Sequence, residues 1–272
     1  MFGSFARFAR RSVRSSLLRA LGSSSRGPMR VMDFWLDMQT QNPSAETVLH
    51  AYLHGRFPLT EPETGCIFWK SPDSRGVVPM DGLRVPKNIK RLLRQGRFQV
   101  SINHSFDEVV RACSERHETW ITDQIIDLYG DLHRMGLAHS FEAWSDGELV
   151  GGSFGVSLGS YFVGVSQFNR VSDAGKVAFI HCHETLQQNS FLMHDVQEST
   201  SHLEQFGCIE MPSTEFRTGL LRAIAAPCGF DWKAHTDLTS TAAETTDASP
   251  VSRSEESKPD KAESRELAEA TC

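Results

Sequence analysis

The chain has 272 residues, a net charge of −6 and an apolar content of 39%, which is enough for one large or two small folded domains. No stretch of about 18 apolar residues occurs, so the sequence predicts no membrane-spanning helix and no membrane partner. The six cysteines include no C-x-x-C pair, which argues against a disulfide scaffold and against a cysteine-based zinc site.

Charge is distributed unevenly along the chain. Residues 1–30 hold seven arginines and no acid, a composition typical of an organellar transit peptide, although a start at Met29 or Met32 would explain it equally. Residues 236–272 hold nine acids and four bases. This polar composition predicts a disordered tail from residue 233. The middle of the chain is therefore acidic, and any nucleic-acid binding must come from a local patch.

The first predicted helix begins after Asn42-Pro43-Ser44 and ends at Gly55. A second predicted helix lies in residues 84–97, RVPKNIKRLLRQGR, a segment with six bases and no acid. Four of these bases recur at spacings of three and four, so they share one helix face: Lys87, Lys90, Arg91 and Arg94. Such a stripe can follow a phosphate backbone. A solvated helix face without a partner is the alternative.

Two further helices are predicted before the central stretch. Ser105 and Glu108 have the spacing of a capping box at the start of FDEVVRACSER. Trp120 follows in TWIT, before a helix that ends near Met135. An isolated tryptophan is usually part of the core, but an indole can also stack on a base.

Residues 138–197 carry the strongest pattern. Asp146-Gly147 predicts a tight hairpin turn between two strands, the second of which covers residues 149–157. A third strand follows at 161–166. Glycines at 151, 152 and 155 permit a close approach to the backbone of the second strand.

A helix, a returning strand and a final helix complete the predicted fold. Ser172 is expected to cap a helix with Asp173 in its first turn, and residues 191–196 form the next strand. The last helix spans 213–225. Strands and helices in this order predict an α/β (α+β) protein.

Asp195 and Gln197 lie two residues apart on a predicted strand, so their side chains share one face. A carboxylate there can accept a proton or polarise the neighbouring amide, although D-x-Q at a strand end is also an ordinary pattern. His181 and His183 would point about 200° apart on a helix and so would not chelate one ion. The sequence thus predicts no metal site.

The chain resembles the leucyl/phenylalanyl-tRNA–protein transferases. The matching motifs, in order, are IFWKSPDSRGVV, SFDEVVRAC, TWIT, AHSFEAW, GELVGGSFGVSLG, FVGVSQFNRVSDAGKVA and LMHDVQ. The resemblance covers residues 45–225. It implies a GNAT-like acyltransferase domain at 101–232, a smaller N-terminal domain at 33–100 and an N-terminal extension at 1–32.

The resemblance also implies a function. Members of this family transfer Leu or Phe from its tRNA to a protein with an N-terminal Arg or Lys, which marks that protein for degradation. No cofactor is expected, because the aminoacyl-tRNA ester is already activated. By resemblance, Asp195 and Gln197 are the catalytic residues, the four bases at 87–94 bind tRNA, and six residues bind substrate: Trp120, Phe162, Ser166, Gln167, Phe179 and Cys182.

Several positions depart from the family pattern. The family has Glu at Val165, Met at Gln167, Phe at Cys182 and an aromatic residue at Leu59. That Glu helps to hold the incoming N-terminal residue, so we expect these differences to change the transferred amino acid, the acceptor residue or both. The sequence predicts a monomeric, cytoplasmic aminoacyltransferase, or an organellar one if the N-terminal extension targets it. A non-catalytic binding relative and an acyl-coenzyme-A N-acetyltransferase are the alternatives.

Overall fold

The structure is a computed structural model that describes residues 43–61, 63–116, 119–228, 230–232 and 238–240. The predicted extension at 1–32, with its transit or start-site interpretation, lies outside these residues. Most of the predicted tail lies outside them too. Thr239–Ser240, however, pair with a strand of the main sheet, so the prediction of disorder does not hold there.

The described residues form seven helices and ten strands in an α/β arrangement, as predicted. The helices are α1 (Ala45–Leu53), α2 (Lys87–Arg94), α3 (Phe106–Ser114), α4 (Asp123–Arg134), α5 (Ala174–Gln188), α6 (Ser201–Glu204) and α7 (Ser213–Ala225). The strands are β1 (Phe57–Thr60), β2 (Ile67–Lys70), β3 (Ser74–Val78), β4 (Gln99–Ile102), β5 (Ala138–Ser145), β6 (Glu148–Leu158), β7 (Tyr161–Asn169), β8 (Met193–Gln197), β9 (Ile209–Pro212) and β10 (Thr239–Ser240). No helix in the described part of the chain is long and apolar enough to cross a membrane.

Eight strands form one mixed sheet with the order β10-β4-β5-β6-β7-β8-β3-β9. β1 and β2 form a separate antiparallel pair. Within the described residues, β7 and β8 are the one parallel pair of the large sheet, and α5 connects them. β3 comes from the segment predicted as a smaller N-terminal domain, yet it pairs with β8 and β9 in the main sheet. The domain boundary at residue 100 stays a prediction.

Helices cover both faces of the sheet. Tyr161 and Val163 of β7 belong to a large core that also includes residues of α1, α3, α4 and α7. Between them in sequence, Phe162 points to the opposite face, where it packs with α5 residues such as Cys182. This alternation along β7 follows from the period of two in a strand. Helix α2 packs on α5, so the basic helix lies on the α5 side.

The hairpin and the glycine-rich strand follow the predicted pattern. Asp146 and Gly147 both have positive φ, 54° and 82°, as a type I′ turn requires. A Cβ atom at Gly151 would lie 2.6 Å from the backbone of Ala174 and Gly175. At Gly155 it would lie 2.4 Å from the Phe162 ring. The groups that closely approach β6 at these two glycines are therefore the start of α5 and the Phe162 ring.

The capping box predicted at the start of α3 does not form. Ser105 is the N-cap residue but makes no side-chain cap hydrogen bond. The buried Glu142 carboxylate of β5 accepts instead from the backbone N–H groups of His104, at 3.2 Å, and Ser105, at 3.0 Å. It also accepts from the hydroxyls of Ser101 and Ser140. A carboxylate at a helix N-terminus satisfies free N–H groups and complements the helix dipole.

The predicted start of α5 also needs correction. Asp173, not Ser172, is the N-cap residue, with a left-handed φ of 70° and no side-chain cap bond. Its carboxylate pairs with Lys176 at 2.8 Å. The ion pair thus takes the carboxylate that would otherwise cap the helix.

We expect Glu142→Gln to lower the free energy of unfolding by about 3 kcal/mol, because hydrogen bonds to a charged group are lost and an amide N–H₂ would face donors. Chemical denaturation measures this loss. Glu148→Gln, at an exposed position in the neighbouring hairpin, is the matched control and should stay within about 0.5 kcal/mol of the parent. Equal stability of the two variants would contradict the assigned role of Glu142.

Candidate functional site

The parallel pairing of β7 and β8 ends before either strand does, and we call the region beyond the last pair the crevice. Their pairing covers three residue pairs and stops at Val163 and Asp195. β7 continues to Asn169 and β8 to Gln197, so the carboxyl ends of both strands line the same opening. In open α/β sheets, ligands bind at this kind of position, outside the carboxyl ends of parallel strands.

Both strands carry a β-bulge at this level. Val165 is the extra residue of β7 against β6, where Ser166 pairs with Phe154 and Gly164 pairs with Gly155. Val196 is the extra residue of β8 against β3. Bulges occur preferentially beside active sites, where they redirect a side chain. The two bulges lie directly beyond the last paired residues of β7 and β8.

Asp195 lies on the floor of the crevice and is completely buried. Its Oδ1 atom accepts from Arg75 Nε at 3.2 Å and from the Gln197 backbone N–H at 2.7 Å. Its Oδ2 atom accepts from Arg75 Nη2 and from the Tyr161 hydroxyl at 2.5 Å. Four donors therefore occupy the lone pairs of this carboxylate, two at each oxygen.

Arg75 is the counter-ion of Asp195, and its side chain is 1% exposed. The guanidinium lies between the rings of Phe57 and Phe216, 4.8 and 4.7 Å from their centroids, and donates to the Gly55 carbonyl at 3.0 Å. Burial alone would lower the pKa of Arg75, but the Asp195 carboxylate more than reverses this effect and keeps the pKa raised. Arg75 is thus charged, and its side chain is fixed against Asp195.

Burial raises the pKa of Tyr161 well above its usual value, and the Asp195 charge raises it further. Tyr161 therefore stays protonated and acts as a hydrogen-bond donor. Tyr161 was missed in the sequence, as was Arg75. The one available signal for Arg75 was a single charge followed by an apolar run in SRGVV.

Gln197 has a left-handed backbone, with φ of 67°. The hydrogen bond from its N–H to Asp195 supports this conformation, which costs a non-glycine residue free energy. The side chain is 9% exposed, and its Nε2 atom completes no hydrogen bond within the described residues. Such a buried, unsatisfied donor calls for a ligand.

One tyrosine adjoins the Gln197 amide. The Tyr52 hydroxyl lies beside it and forms a 2.6 Å hydrogen bond with the Tyr129 hydroxyl. Burial raises the pKa of Tyr52 above its usual value, an effect that the bond to Tyr129 and the nearby Gln197 amide partly offset. Burial also raises the pKa of Tyr129, so both hydroxyls are neutral.

Ser166 and Trp120 lie on the same face of the sheet as Asp195, whereas the side chain of Gln167, the next residue of β7, points to the opposite face. Ser166 pairs with Phe154 of the core on this face. Arg116 Nη2 donates to the Ser166 hydroxyl at 3.1 Å and to the Gln167 carbonyl. Trp120 is half-buried and packs against the core of this face.

Phe162, Phe179 and Cys182 lie on the opposite, α5 face. Phe162 contacts the rings of Phe141, His194 and Trp232 at centroid distances of 5.8 to 6.1 Å. Burial raises the pKa of the Cys182 thiol well above its usual value. The sheet therefore separates Phe162, Phe179 and Cys182 from Trp120 and Ser166.

His183 forms a hydrogen-bonded pair with His194. His183 and His194 join through their Nδ1 atoms at 3.0 Å, and burial lowers the pKa of both. Among the described residues, no group of three His, Cys, Asp or Glu side chains could hold a metal ion.

The basic stripe is present as an exposed surface of α2. All four predicted residues of 87–94 are exposed, and Ile89 and Leu92 face the core. No ion pair involves any of the four within the described residues. The stripe thus keeps its full positive charge toward solvent.

Comparison with known proteins identifies the family. Residues 77–221 match the family model described as leucyl/phenylalanyl-tRNA protein transferase. The transferase of Gloeobacter violaceus is 45% identical over 185 residues, which is 68% of this chain and 96% of that protein. The transferase of Salinibacter ruber is 39% identical over 220 residues, 79% of this chain and 96% of that protein. The chain therefore belongs to the leucyl/phenylalanyl-tRNA–protein transferase family.

Proposed function

We propose that this protein transfers an aminoacyl group, Leu or Phe, from tRNA to the N-terminal amine of a protein, which marks that protein for degradation. The observation that carries the proposal is the buried Gln197 side chain, whose Nε2 atom completes no hydrogen bond within the described residues, beside the fixed Asp195 carboxylate and next to two β-bulges. Family membership supplies the reaction class.

The reaction is an aminolysis of an ester. The acceptor α-amine attacks the ester carbonyl carbon, a C–N bond forms, and the bond from this carbon to the tRNA ribose oxygen breaks. Overall, one proton moves from the amine to that ribose oxygen. The enzyme must hold both substrates and stabilise the oxyanion of the tetrahedral intermediate.

Gln197 is suited to stabilising the oxyanion. Its Nε2 group can donate to the developing oxyanion, or orient the amine through Oε1. Asp195 is suited to positioning, because its oxygens already accept four hydrogen bonds. We assign Asp195 the role of fixing the Gln197 backbone rather than that of a proton acceptor. No metal or cofactor takes part in this scheme.

The pocket for the transferred side chain is proposed at the strand opening, with Phe162, Phe179, Cys182 and Gln167 on one face of the sheet and Trp120 and Ser166 on the other. Separation of two adjacent parallel strands supports a GNAT-like architecture for residues 101–232. An apolar pocket of this kind separates Leu from similar residues by only about 1–3 kcal/mol.

The exposed stripe of α2 is the proposed tRNA site. We expect the double variant Lys90→Ala/Arg94→Ala to weaken tRNA binding and to reduce the slope of log K against log salt by about 1.5, since each phosphate contact contributes about 0.7–0.9. Fluorescence anisotropy at several salt concentrations measures the slope. Arg217→Ala/Arg222→Ala removes two exposed bases from α7 and should leave the slope unchanged. Equal slopes for the two double variants would contradict the site.

The two alternatives predict different assay results. An acyl-coenzyme-A enzyme would bind coenzyme A, although residues 167–171, QFNRV, contain no glycine for a pyrophosphate turn. A non-catalytic relative would bind tRNA without turnover. Val165, Gln167 and Leu59 favour that alternative, and the retained Asp195 and Gln197 favour catalysis.

The deciding experiment is a transfer assay with the full chain, Leu-tRNA or Phe-tRNA carrying a labelled amino acid, and peptides with different first residues. We expect label on the peptide with the parent protein and none with Asp195→Ala. Salt-sensitive tRNA binding without transfer would overturn the proposal in favour of the non-catalytic relative. We further propose that the enzyme acts as a monomer in the cytoplasm, or in an organelle if residues 1–30 target it.

A further inference from the structure

An open space lies over Gly164, the first residue of β7 beyond the last pair with β8. Apart from the chain neighbours of Gly164, a Cβ atom built there would meet two heavy atoms of the described residues within 4 Å. These are the backbone oxygen of Asp195 at 3.7 Å and Nε2 of His194 at 3.9 Å. At Gly155, by contrast, the added atom would lie 2.4 Å from the Phe162 ring. Gly164 therefore leaves room for a small group.

The protons of the His194 ring follow from its partners. Burial lowers the pKa of His183 and His194, so both rings are neutral. His183 Nε2 faces the Met80 carbonyl oxygen at 3.3 Å, and a carbonyl can only accept, so His183 carries its proton on Nε2. Its Nδ1 atom is then an acceptor, and the 3.0 Å contact between the two Nδ1 atoms requires His194 to donate. His194 therefore presents the lone pair of Nε2 to the space over Gly164.

The two wall atoms nearest to Gly164 select the chemistry of the group that fits there. A backbone oxygen and an unprotonated imidazole nitrogen both accept hydrogen bonds, and neither donates. Within the part of the chain that the structure describes, no group donates to Nε2 of His194, although this side chain is 1% exposed. A buried acceptor of this kind calls for a donor. An amine, which carries several N–H groups, meets that requirement.

The surroundings of His194 indicate which amine this is. The rings of Phe162 and Phe179 lie 5.8 and 5.4 Å from the His194 ring, and both residues belong to the proposed pocket for the transferred side chain. In an aminoacyl ester the α-amine and the side chain are attached to one carbon atom. A side chain against these two rings therefore brings the amine of the same residue to His194.

The space over Gly164 also adjoins the proposed site of chemistry. Its nearest wall atom is the backbone oxygen of Asp195, whose carboxylate accepts from the Gln197 backbone N–H. Gln197 follows two residues later on β8, no more than about 7 Å along the strand. The ester carbonyl, whose carbon is bonded to the carbon that bears the amine, would thus lie on the Gln197 side of the amine.

We propose that His194 is a substrate-binding residue whose Nε2 atom accepts a hydrogen bond from the α-amine of the aminoacyl group. This inference rests on the proposed function and names the group that orients the donor substrate. With the side chain and the amine both held, the rotation of the aminoacyl group is fixed, and its carbonyl is presented toward Gln197. His183 and the Met80 carbonyl hold the His194 ring in the tautomer that accepts.

The test measures binding without turnover. It compares the leucylamide of adenosine, in which a stable amide replaces the ester, with a desamino counterpart that lacks only the α-amine. Isothermal titration calorimetry gives both Kd values. We expect the parent protein to bind the amine compound about tenfold more tightly. His194→Leu should bind both compounds alike, and His194→Gln, whose amide oxygen can replace Nε2 as the acceptor, should keep part of the preference.

Gly164→Ala keeps the test decisive if His194→Leu does not fold. Its methyl group would make ordinary contacts at 3.7 and 3.9 Å, so the fold should persist, but the methyl group occupies the place of the amine. We expect it to abolish the preference as well. Gly130→Ala in α4 is the matched control, since a Cβ atom there meets only Arg134 Nη1, at 3.4 Å, among the described residues. It should retain the parent preference.

Equal Kd values of the parent for the two compounds, or a preference unchanged in His194→Leu and Gly164→Ala, would overturn the inference and leave the transferase assignment intact. A peptide that begins with Arg, compared with its N-acetylated form, tests the other amine of the reaction. If His194→Leu loses only the preference for the free peptide, the site belongs to the acceptor amine and the inference is wrong. If no peptide is aminoacylated in the transfer assay, the proposed function fails, and the Kd values still decide whether His194 binds an amine.

Discussion

Arg75→Met is expected to lower the free energy of unfolding by about 3–5 kcal/mol, because it leaves the buried Asp195 carboxylate without its counter-ion. Methionine retains most of the packing between the Phe57 and Phe216 rings, so the loss of stability comes mainly from the unpaired charge. Urea denaturation followed by circular dichroism measures it. Transfer activity should fall as well, since the Asp195 carboxylate that fixes Gln197 loses two of its four hydrogen bonds.

The control for this prediction is Arg170→Met. Arg170 also pairs with carboxylates, but its side chain is 42% exposed, and exposed pairs contribute about 0–1 kcal/mol. The double variant Arg75→Met/Asp195→Asn should regain part of the lost stability, because no unpaired charge remains. A loss no larger for Arg75→Met than for Arg170→Met would contradict the structural role of the buried pair.

Gln197→Gly is expected to lower kcat for transfer by about 10²- to 10³-fold, the usual effect of removing one oxyanion donor. Glycine adopts positive φ without strain, so the backbone at this position remains compatible with the bond to Asp195. KM for the aminoacyl-tRNA should change little, because the amide acts mainly on the transition state.

Gln205→Gly provides the comparison, since Gln205 is an exposed glutamine on the surface beyond α6. Its kcat should match the parent. A Gln197→Gly protein that folds normally and retains the parent kcat would exclude the amide from the chemistry. In that case Tyr52 and Tyr129, whose hydroxyls are hydrogen-bonded to each other, would be the next residues to substitute.

Local signals in the sequence were sufficient for several elements. The Asp146-Gly147 turn was predictable because only a few residues accept positive φ. The bounds 213–225 of the last helix match Ser213–Ala225. Asp195 and Gln197 were predicted to share a face from their spacing alone, and in the structure the Gln197 backbone N–H donates to the Asp195 carboxylate. In each case the determinants lie within a few residues of one another.

Long-range contacts were not predictable in this way. Arg75 lies 120 residues from Asp195, and no local pattern indicates which carboxylate a buried arginine will meet. The same limit explains the wrong cap of α3, because Glu142 reaches its N-terminus from β5, 37 residues away. Phe162 and Gln197 lie on opposite faces of the sheet because of strand alternation and two bulges. The two bulges leave no clear trace in the sequence.

The central claim is that the aminoacyl group is transferred in the crevice between β7 and β8. Hydrogen exchange with mass spectrometry tests it directly, on the full chain with and without Leu-tRNA. We expect protection in two segments, residues 164–169 and 193–199, in addition to the α2 stripe. Protection confined to α2, with unchanged exchange in both strand ends, would contradict the assignment of the crevice as the site of transfer.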